Sequence, residues 1–223
     1  MRSCRKPRSA QRWSTQHGGD VSSSSGRRNA VNCGVRYEQQ LVELVRADEW
    51  LMDVLRAARV CDPPNWLIGS GVLRNLVWDH LHGYAERTPA RDVDLAYFDP
   101  LDPRPEAENA WERRLHAIRP DVPWEVRNQA TVHLWYERRF GYAVPRLDSI
   151  QAAVATWPET ATAIALRLLA DDQIELIAPF GLADLFQMIL RRNPTRVSVE
   201  EYQRRYASKR IRERWPHVQI LEH

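Results

Sequence analysis

The sequence predicts an α+β domain in which a small mixed sheet is flanked by helices. Three observations carry this reading. Helical periodicities alternate with short strand-like runs along the chain, which leaves α+β or α/β as the architecture. Trp66-Leu67-Ile68-Gly69-Ser70-Gly71 runs a short buried strand into a small-residue turn, and a helical pattern from Val72 to His82 follows directly. Asp92-Val93-Asp94-Leu95-Ala96-Tyr97-Phe98-Asp99 alternates acids with apolar residues. At a side-chain period of two, both acids share one face, roughly 7 Å apart, and the apolar set takes the other.

Residues 1–34 read as an unordered basic tail, rich in Ser, Arg and Gly and nearly free of apolar side chains. Tyr37 to Val60 reads as one helix, ended by Pro63-Pro64, which forces an extended entry into the Trp66–Ile68 strand. The Val72–His82 helix ends at Gly83, which suits a C-terminal cap. Residues 84–91 form a polar loop before the acidic strand. Glu106 to Ile118 is a helix bounded by prolines. Trp124-Glu125-Val126-Arg127 is a short strand, which Thr131 to Tyr136 either continues or turns away from. Residues 137–150 read as a hairpin-like connection and Ser149 to Val154 as a short helix or turn. Ala163–Leu169 and Ile174–Ala178 form a hairpin around Asp171-Asp172, and Gly181 to Leu190 reads as a helix. A capping box, Ser198 with Glu201, opens a last helix to about Trp215. The expected organisation is a tail over 1–34, a main domain over 35–195, and a C-terminal basic helix and tail over 196–223.

The composition bounds what the chain can do. With 43% hydrophobic residues and nine tryptophans, 223 residues suffice for a core. No run of about 18 apolar residues exists, so no membrane span is expected. Three cysteines without metal-ligand spacing argue against a disulfide framework and for a reducing, cytoplasmic setting. The net charge of +3 is uneven: residues 1–34 carry net +6 and the remainder net −3. A mildly acidic body is a poor binder of duplex DNA.

Chemistry concentrates at the two motifs. Paired carboxylates on a rigid strand repel one another and become useful around a hard divalent cation such as Mg²⁺ or Mn²⁺. A small-residue turn at a helix N-terminus makes a phosphate-sized anion site from free N–H groups. Each motif alone has a bland reading, as packing or as a solvated strand edge. Together with a third acid, Glu125, between apolar neighbours, they form the parts list for chemistry on a nucleoside triphosphate. Arg74 and Asn75, in the first helical turn, are placed to reach a triphosphate or to cap a surface. Arg127, Asn128 and Gln129, just past Glu125, could read a base or sugar hydroxyl or satisfy a turn. His80 and His82 lie about 200° apart on a helix and so do not share a metal; His133 reads as structural. The basic face of the last helix, with Arg204, Arg205, Lys209, Arg210, Arg212 and Arg214, is a solvated face or a site for RNA or another phosphate-rich acceptor.

This order of motifs resembles the nucleotidyltransferase superfamily that includes DNA polymerase beta, kanamycin nucleotidyltransferase and the minimal bacterial nucleotidyltransferases. A bacterial branch of nucleotidyltransferase-family proteins is similar over roughly residues 37–195, through Ile68–Asn75, Val77–Gly83, Asp92–Asp99, Trp124–Ala130, Trp157–Thr162 and Ala178–Phe186. The resemblance implies a polymerase-beta-like fold, with Gly69 and Ser70 at the phosphates of an NTP and Asp92 and Asp94 on metal. Ser70 and Asp92 stand farther apart than in the minimal members, and Glu175 rivals Glu125 as the third acid. The implied activity is metal-dependent transfer of a nucleoside monophosphate to an unknown hydroxyl or phosphate acceptor on a small molecule, RNA or protein. Asp92, Asp94 and Glu125 would be catalytic, and Gly69, Ser70, Arg74, Asn75, Arg127 and Asn128 would bind nucleotide. The contrasting expectations are an inactive module that binds nucleotide or protein, and an RNA-binding adaptor built on the basic tail and last helix.

Overall fold

A computed structural model describes residues 24–222. Of the expected tail, residues 1–23 lie outside the described residues, whereas 24–34 are helical and open α1 (Ser24–Ala47). No proline interrupts 24–47, so a helix nucleated where Leu41 and Val45 are fully buried propagates toward its N-terminus. The single helix expected over Tyr37–Val60 is two. Asp48 ends α1 and caps α2 (Glu49–Cys61), its carboxylate accepting from the Leu51 N–H at 2.8 Å.

The five-stranded sheet has the order β3-β2-β1-β4-β5. Its strands are β1 (Leu67–Gly69), β2 (Val93–Tyr97), β3 (Trp124–Asn128), β4 (Ala165–Leu168) and β5 (Ile174–Ile177). The β2–β3 pair is parallel and the others antiparallel, so the sheet is mixed as expected. Helix α3 (Gly71–His82) follows β1, and α4 (Pro105–Ile118) is the crossover between β2 and β3.

Alternation along the strands divides the molecule. Val93, Leu95, Tyr97, Trp124 and Val126 enter the main core with residues of α1, α2, α3 and α4. Ala96 and Phe98 turn the other way, into a small cluster with Leu67, Ala165 and residues of α6 (Ile150–Val154). That second face is only partly covered, and Asp94, Glu125 and Arg127 belong to it by their strand positions. Each fully buried Leu or Ile of the main core contributes about 1.5–3 kcal/mol.

Four expectations change in the second half, the first being the hairpin-like connection over 137–150, where a helix runs to Phe140 and no strand follows before α6. Thr131–Tyr136 is neither strand nor turn: a 3-10 turn over Gln129–Thr131 leads into α5 (Val132–Phe140), which ends at Gly141 with φ 84°. Gly181–Leu190 is helical only over α7 (Ala183–Phe186). Met188 then takes φ 55°, and β6 (Ile189–Arg191) pairs in parallel with β7 (Gln219–Leu221). The last helix breaks at Arg210, where φ is 53°, into α8 (Val199–Ser208) and α9 (Ile211–Arg214). Its N-terminal cap is as expected, Ser198 Oγ accepting from the Glu201 N–H at 3.2 Å. Tyr202, Ile211 and Trp215 are buried in the main core, which brings α8 and α9 against the end of β1 and the start of α3. Among the described residues no helix is long and apolar enough to cross a membrane.

Candidate functional site

The site grows from the turn between β1 and α3. Gly69 has a packing reason to be glycine. A Cβ there would stand 2.5 Å from the Ile164 carbonyl oxygen and 2.7 Å from the Trp157 ring. Ser70 follows with φ 59° and ψ −119°, a backbone a side chain adopts only under strain, and its N–H donates to Ile164 O at 2.9 Å. No side chain caps the first turn of α3. Its leading N–H groups are therefore available to an anion.

Ser70 and Gly71 line a cavity of about 340 Å³ with Asp92, Asp94 and Glu125. Asp94 on β2 stands directly across from Glu125 on β3 in the parallel register. Burial, then the charges of Asp92 and Glu125, push the Asp94 carboxyl up to about 6. Glu175, the rival third acid, lies on β5, separated from β2 by two strands, and is bonded to Arg167 at 2.5 Å. The arrangement places Glu125, and not Glu175, beside the aspartate pair. Glu125 also meets the Arg127 guanidinium at 3.1 Å. Among the described residues no three His, Cys, Asp or Glu side chains converge as a finished metal-binding group. The donor set, hard carboxylate oxygens of Asp92, Asp94 and Glu125 crowded enough to raise Asp94, is nonetheless of the type that Mg²⁺ or Mn²⁺ takes.

Cations complete the cavity. Arg74 is 5% exposed, stacks over the Trp78 and Trp215 rings at 5.6 and 5.0 Å, and donates to Asn75 Oδ1 at 2.7 Å. Among the described residues no carboxylate stands within ion-pair distance of it. Burial lowers its pKa to about 10. A buried guanidinium without a carboxylate partner at a helix N-terminus is poised for an anionic ligand. Asn75 is buried too and serves Arg74 as its holder.

Arg205, Lys209 and Arg214 reach the same cavity from α8 and α9. Beneath two of them lies Glu159, 1% exposed, which accepts from Thr162 Oγ1 at 2.6 Å and Arg205 Nε at 3.1 Å, with Lys209 Nζ at 3.9 Å. Burial alone would raise the Glu159 carboxyl; the Lys209 and Arg205 charges outweigh it and hold the group down at about 2. Lys209 in turn is lowered to about 8, by burial against the pull of Glu159. The sequence left these cations as either a solvated face or a site for RNA or another phosphate-rich acceptor. The available signal was the i, i+4 spacing of Arg205 and Lys209, which sets both on one side of α8.

The structure does not bring Asn128 to the site. It is 2% exposed, and its amide ties β3 to the following turn of β2, accepting from the Asp99 N–H at 3.1 Å and donating to Asp99 O and Asp102 O at 2.8 and 3.1 Å. Arg127, one position earlier, faces the open side with Glu125, and Gln129 lines the continuation of the cavity. His80 lies elsewhere, in a groove between α1 and α3.

Comparison with known proteins bears on the family and the fold. The family model described as nucleotidyltransferase matches residues 56–220. A structure solved by NMR and described as a CCA-adding enzyme head domain superposes with a TM-score of 0.69 at 26% identity, covering 82% of this chain and 95% of that one. A CCA-adding enzyme in complex with CTP matches with a TM-score of 0.50 at 15% identity, over 82% of this chain but only 43% of that one, a likeness of fold alone. Comparison with the curated proteins finds no match. With its fold shared by nucleotidyltransferase head domains and most of its length matched by the family model, the chain belongs to the nucleotidyltransferase family.

Proposed function

We propose that the protein transfers a nucleoside monophosphate from an NTP to a hydroxyl or phosphate acceptor and releases pyrophosphate, in a reducing, cytoplasmic setting. Family membership supplies the NTP as substrate. The observation that carries the rest is one cavity uniting the uncapped start of α3, the unpaired Arg74 and the crowded acids Asp92, Asp94 and Glu125. In this reading the β- and γ-phosphates rest at Ser70, Gly71 and the first turn of α3. Arg74 meets them from below, and Arg205, Lys209 and Arg214 close over them from α8 and α9. These donors are fixed before substrate arrives, Arg74 by Asn75 and two indoles and Arg205 by Glu159, so charge on the departing pyrophosphate is met without reorganisation. Asp92 and Asp94, joined by Glu125, would hold Mg²⁺ or Mn²⁺, which when bound polarises the phosphate and lowers the pKa of the attacking hydroxyl. Glu125 also faces the acceptor side and orients the hydroxyl.

The Glu125–Arg127 contact supports a second reading, a module that binds nucleotide without turning it over. Full-length protein incubated with each NTP and Mg²⁺ or Mn²⁺, with cell extract as a source of acceptor, separates the two. Label transferred to a product, with pyrophosphate formed and both lost in Asp94→Asn, supports transfer. Metal-dependent NTP binding with no label transferred supports the module.

A further inference from the structure

The cavity does not end at Glu125. It runs on through Leu95, Ala96, Gln129, Trp157 and Pro158 into a cleft of about 220 Å³ walled by Trp135, Tyr136 and Phe140 of α5. Asp94 and Glu125 stand at the junction, with the phosphate end on the β1 side and this cleft on the β3 side. At the far end lies Arg196, 8% exposed, its Nη2 donating to Pro145 O at 3.3 Å and its guanidinium 5.7 Å from the Tyr136 ring centre. Among the described residues no carboxylate pairs with it. The trough thus carries an unpaired buried guanidinium at each end and acids in the middle, and the one further acid of the cleft, Glu201, is paired with Arg204 at 2.6 Å.

We propose that the aromatic cleft is the acceptor site and that it takes an acceptor of mononucleotide size, a hydroxyl-bearing unit with a planar ring and an anionic phosphate. The proposal rests on the transfer reading above. In-line displacement at the α-phosphorus sets the entering oxygen opposite the leaving one. With pyrophosphate leaving toward Arg74, the hydroxyl enters from the Glu125 side, where the cleft opens. Aromatic walls stack on any flat ring. Arg196 supplies a charge-assisted partner for the phosphate that the ring carries. A volume of about 220 Å³ admits one such unit and not a duplex. In the transfer, the acceptor oxygen forms a bond to the α-phosphorus as the bond from that phosphorus to the α,β-bridging oxygen breaks. Pyrophosphate departs with the electron pair, and the hydroxyl proton passes to the Glu125 carboxylate.

The test loads full-length protein with Mg²⁺ and a non-hydrolysable α,β-methylene NTP, so that the phosphate end is filled. AMP, GMP, CMP, UMP, a short single-stranded oligoribonucleotide and glycerol 3-phosphate are then titrated calorimetrically. At least one mononucleotide or the oligonucleotide should bind, and glycerol 3-phosphate should not. Binding of a mononucleotide identifies the free nucleotide as the source of the ring and phosphate; binding of the oligonucleotide alone identifies a chain end. Trp135→Ala, on the half-exposed side of α5, should weaken that binding by about tenfold, the loss typical of one stacking contact. Arg196→Lys should do likewise, and both variants should bind the methylene NTP as wild type does. The acceptor assignment is overturned if nothing binds the NTP-loaded protein, if glycerol 3-phosphate binds equally well, or if Trp135→Ala changes nothing. Failure of the wild type to bind the methylene NTP would instead remove the transfer reading beneath it.

Discussion

The two halves of the open sheet face use the same side chains in opposite ways. On β4 and β5, Arg167 stands directly across from Glu175 and the two are hydrogen-bonded at 2.5 Å. On β2 and β3, Asp94 stands directly across from Glu125, acid against acid, with Asp92 close by. A cross-strand pair of opposite charges stabilises a sheet slightly, and a like pair destabilises it. A cavity of about 350 Å³ also opens on the β4–β5 half, where Arg167 and Glu175 neutralise each other and Asp148 is the other charged residue of the lining. On the β2–β3 half Glu125 meets Arg127, while Asp92, Asp94 and the buried Arg74 have no ion-pair partner among the described residues. The contrast teaches that like charge set against like charge, rather than concavity, marks the candidate site on this sheet.

The largest effect expected follows from that difference. Asp92→Asn and Asp94→Asn should lower transfer by about 10³-fold or more, since each removes a metal-binding oxygen charge. Without metal, each should melt level with or above the wild type, because like-charge repulsion is relieved. A fall of several degrees in metal-free melting would show that these carboxylates are structural, as Arg167 and Glu175 are.

Next in size is Glu159→Gln. It strands Arg205 and Lys209 without their buried partner, and destabilisation of about 3 kcal/mol is expected, read by denaturant unfolding. The NTP should also bind less tightly, because the two cations lose their anchor.

The pH dependence of stability sharpens the comparison, since two acids of one neighbourhood act with opposite sign. Glu159 has a folded pKa of about 2, below its unfolded value, so its contribution is present above about pH 4.5 and lost as pH falls toward 2. Asp94 has a folded pKa of about 6, above its unfolded value, so its contribution is full below about pH 4 and lost as pH rises through 6. Metal-free wild type should therefore lose stability relative to Asp94→Asn between pH 4 and 7. Parallel unfolding curves for the two proteins across that window would contradict the charge crowding at Asp94.

The smallest effect belongs to the other half. Glu175→Gln breaks a pair whose side chains are about a third exposed, so a loss of at most about 1 kcal/mol is expected, with transfer unchanged. A collapse of activity in Glu175→Gln would return the third-acid role to β5.

What the sequence made legible was local. Gly69-Ser70, Asp92 and Asp94 stand out because a strand period and a strand-to-helix turn are each written within a few residues. Glu125 is legible for the same reason, framed by Trp124 and Val126. The errors have equally local causes. Asn128 is one strand position past Arg127, which sends its side chain to the opposite face. Asn75, by contrast, lines the cavity as well as holding Arg74. The apolar run to Leu190 does not distinguish a helix from a short strand, and what makes β6 a strand is β7, near the end of the chain. Arg205 and Lys209 were hidden for a tertiary reason: their significance depends on Glu159, buried in a segment whose own pattern says nothing of a charge. The aromatic cleft is likewise assembled from α5, Trp157 and Arg196, which share no sequence motif.

The central claim is that the crowded acids of β2 and β3 are completed by a divalent cation and an NTP. The most direct measurement is the melting temperature of the full-length chain with and without Mg²⁺ plus each NTP, for wild type, Asp94→Asn, Glu125→Gln and Glu175→Gln. Ligand at about 100 times its dissociation constant adds about 2.7 kcal/mol, a rise of several degrees. Wild type and Glu175→Gln should show that rise in full, Glu125→Gln a reduced one and Asp94→Asn none. An undiminished rise in Asp94→Asn, or one that persists in wild type when EDTA replaces Mg²⁺, would contradict the claim.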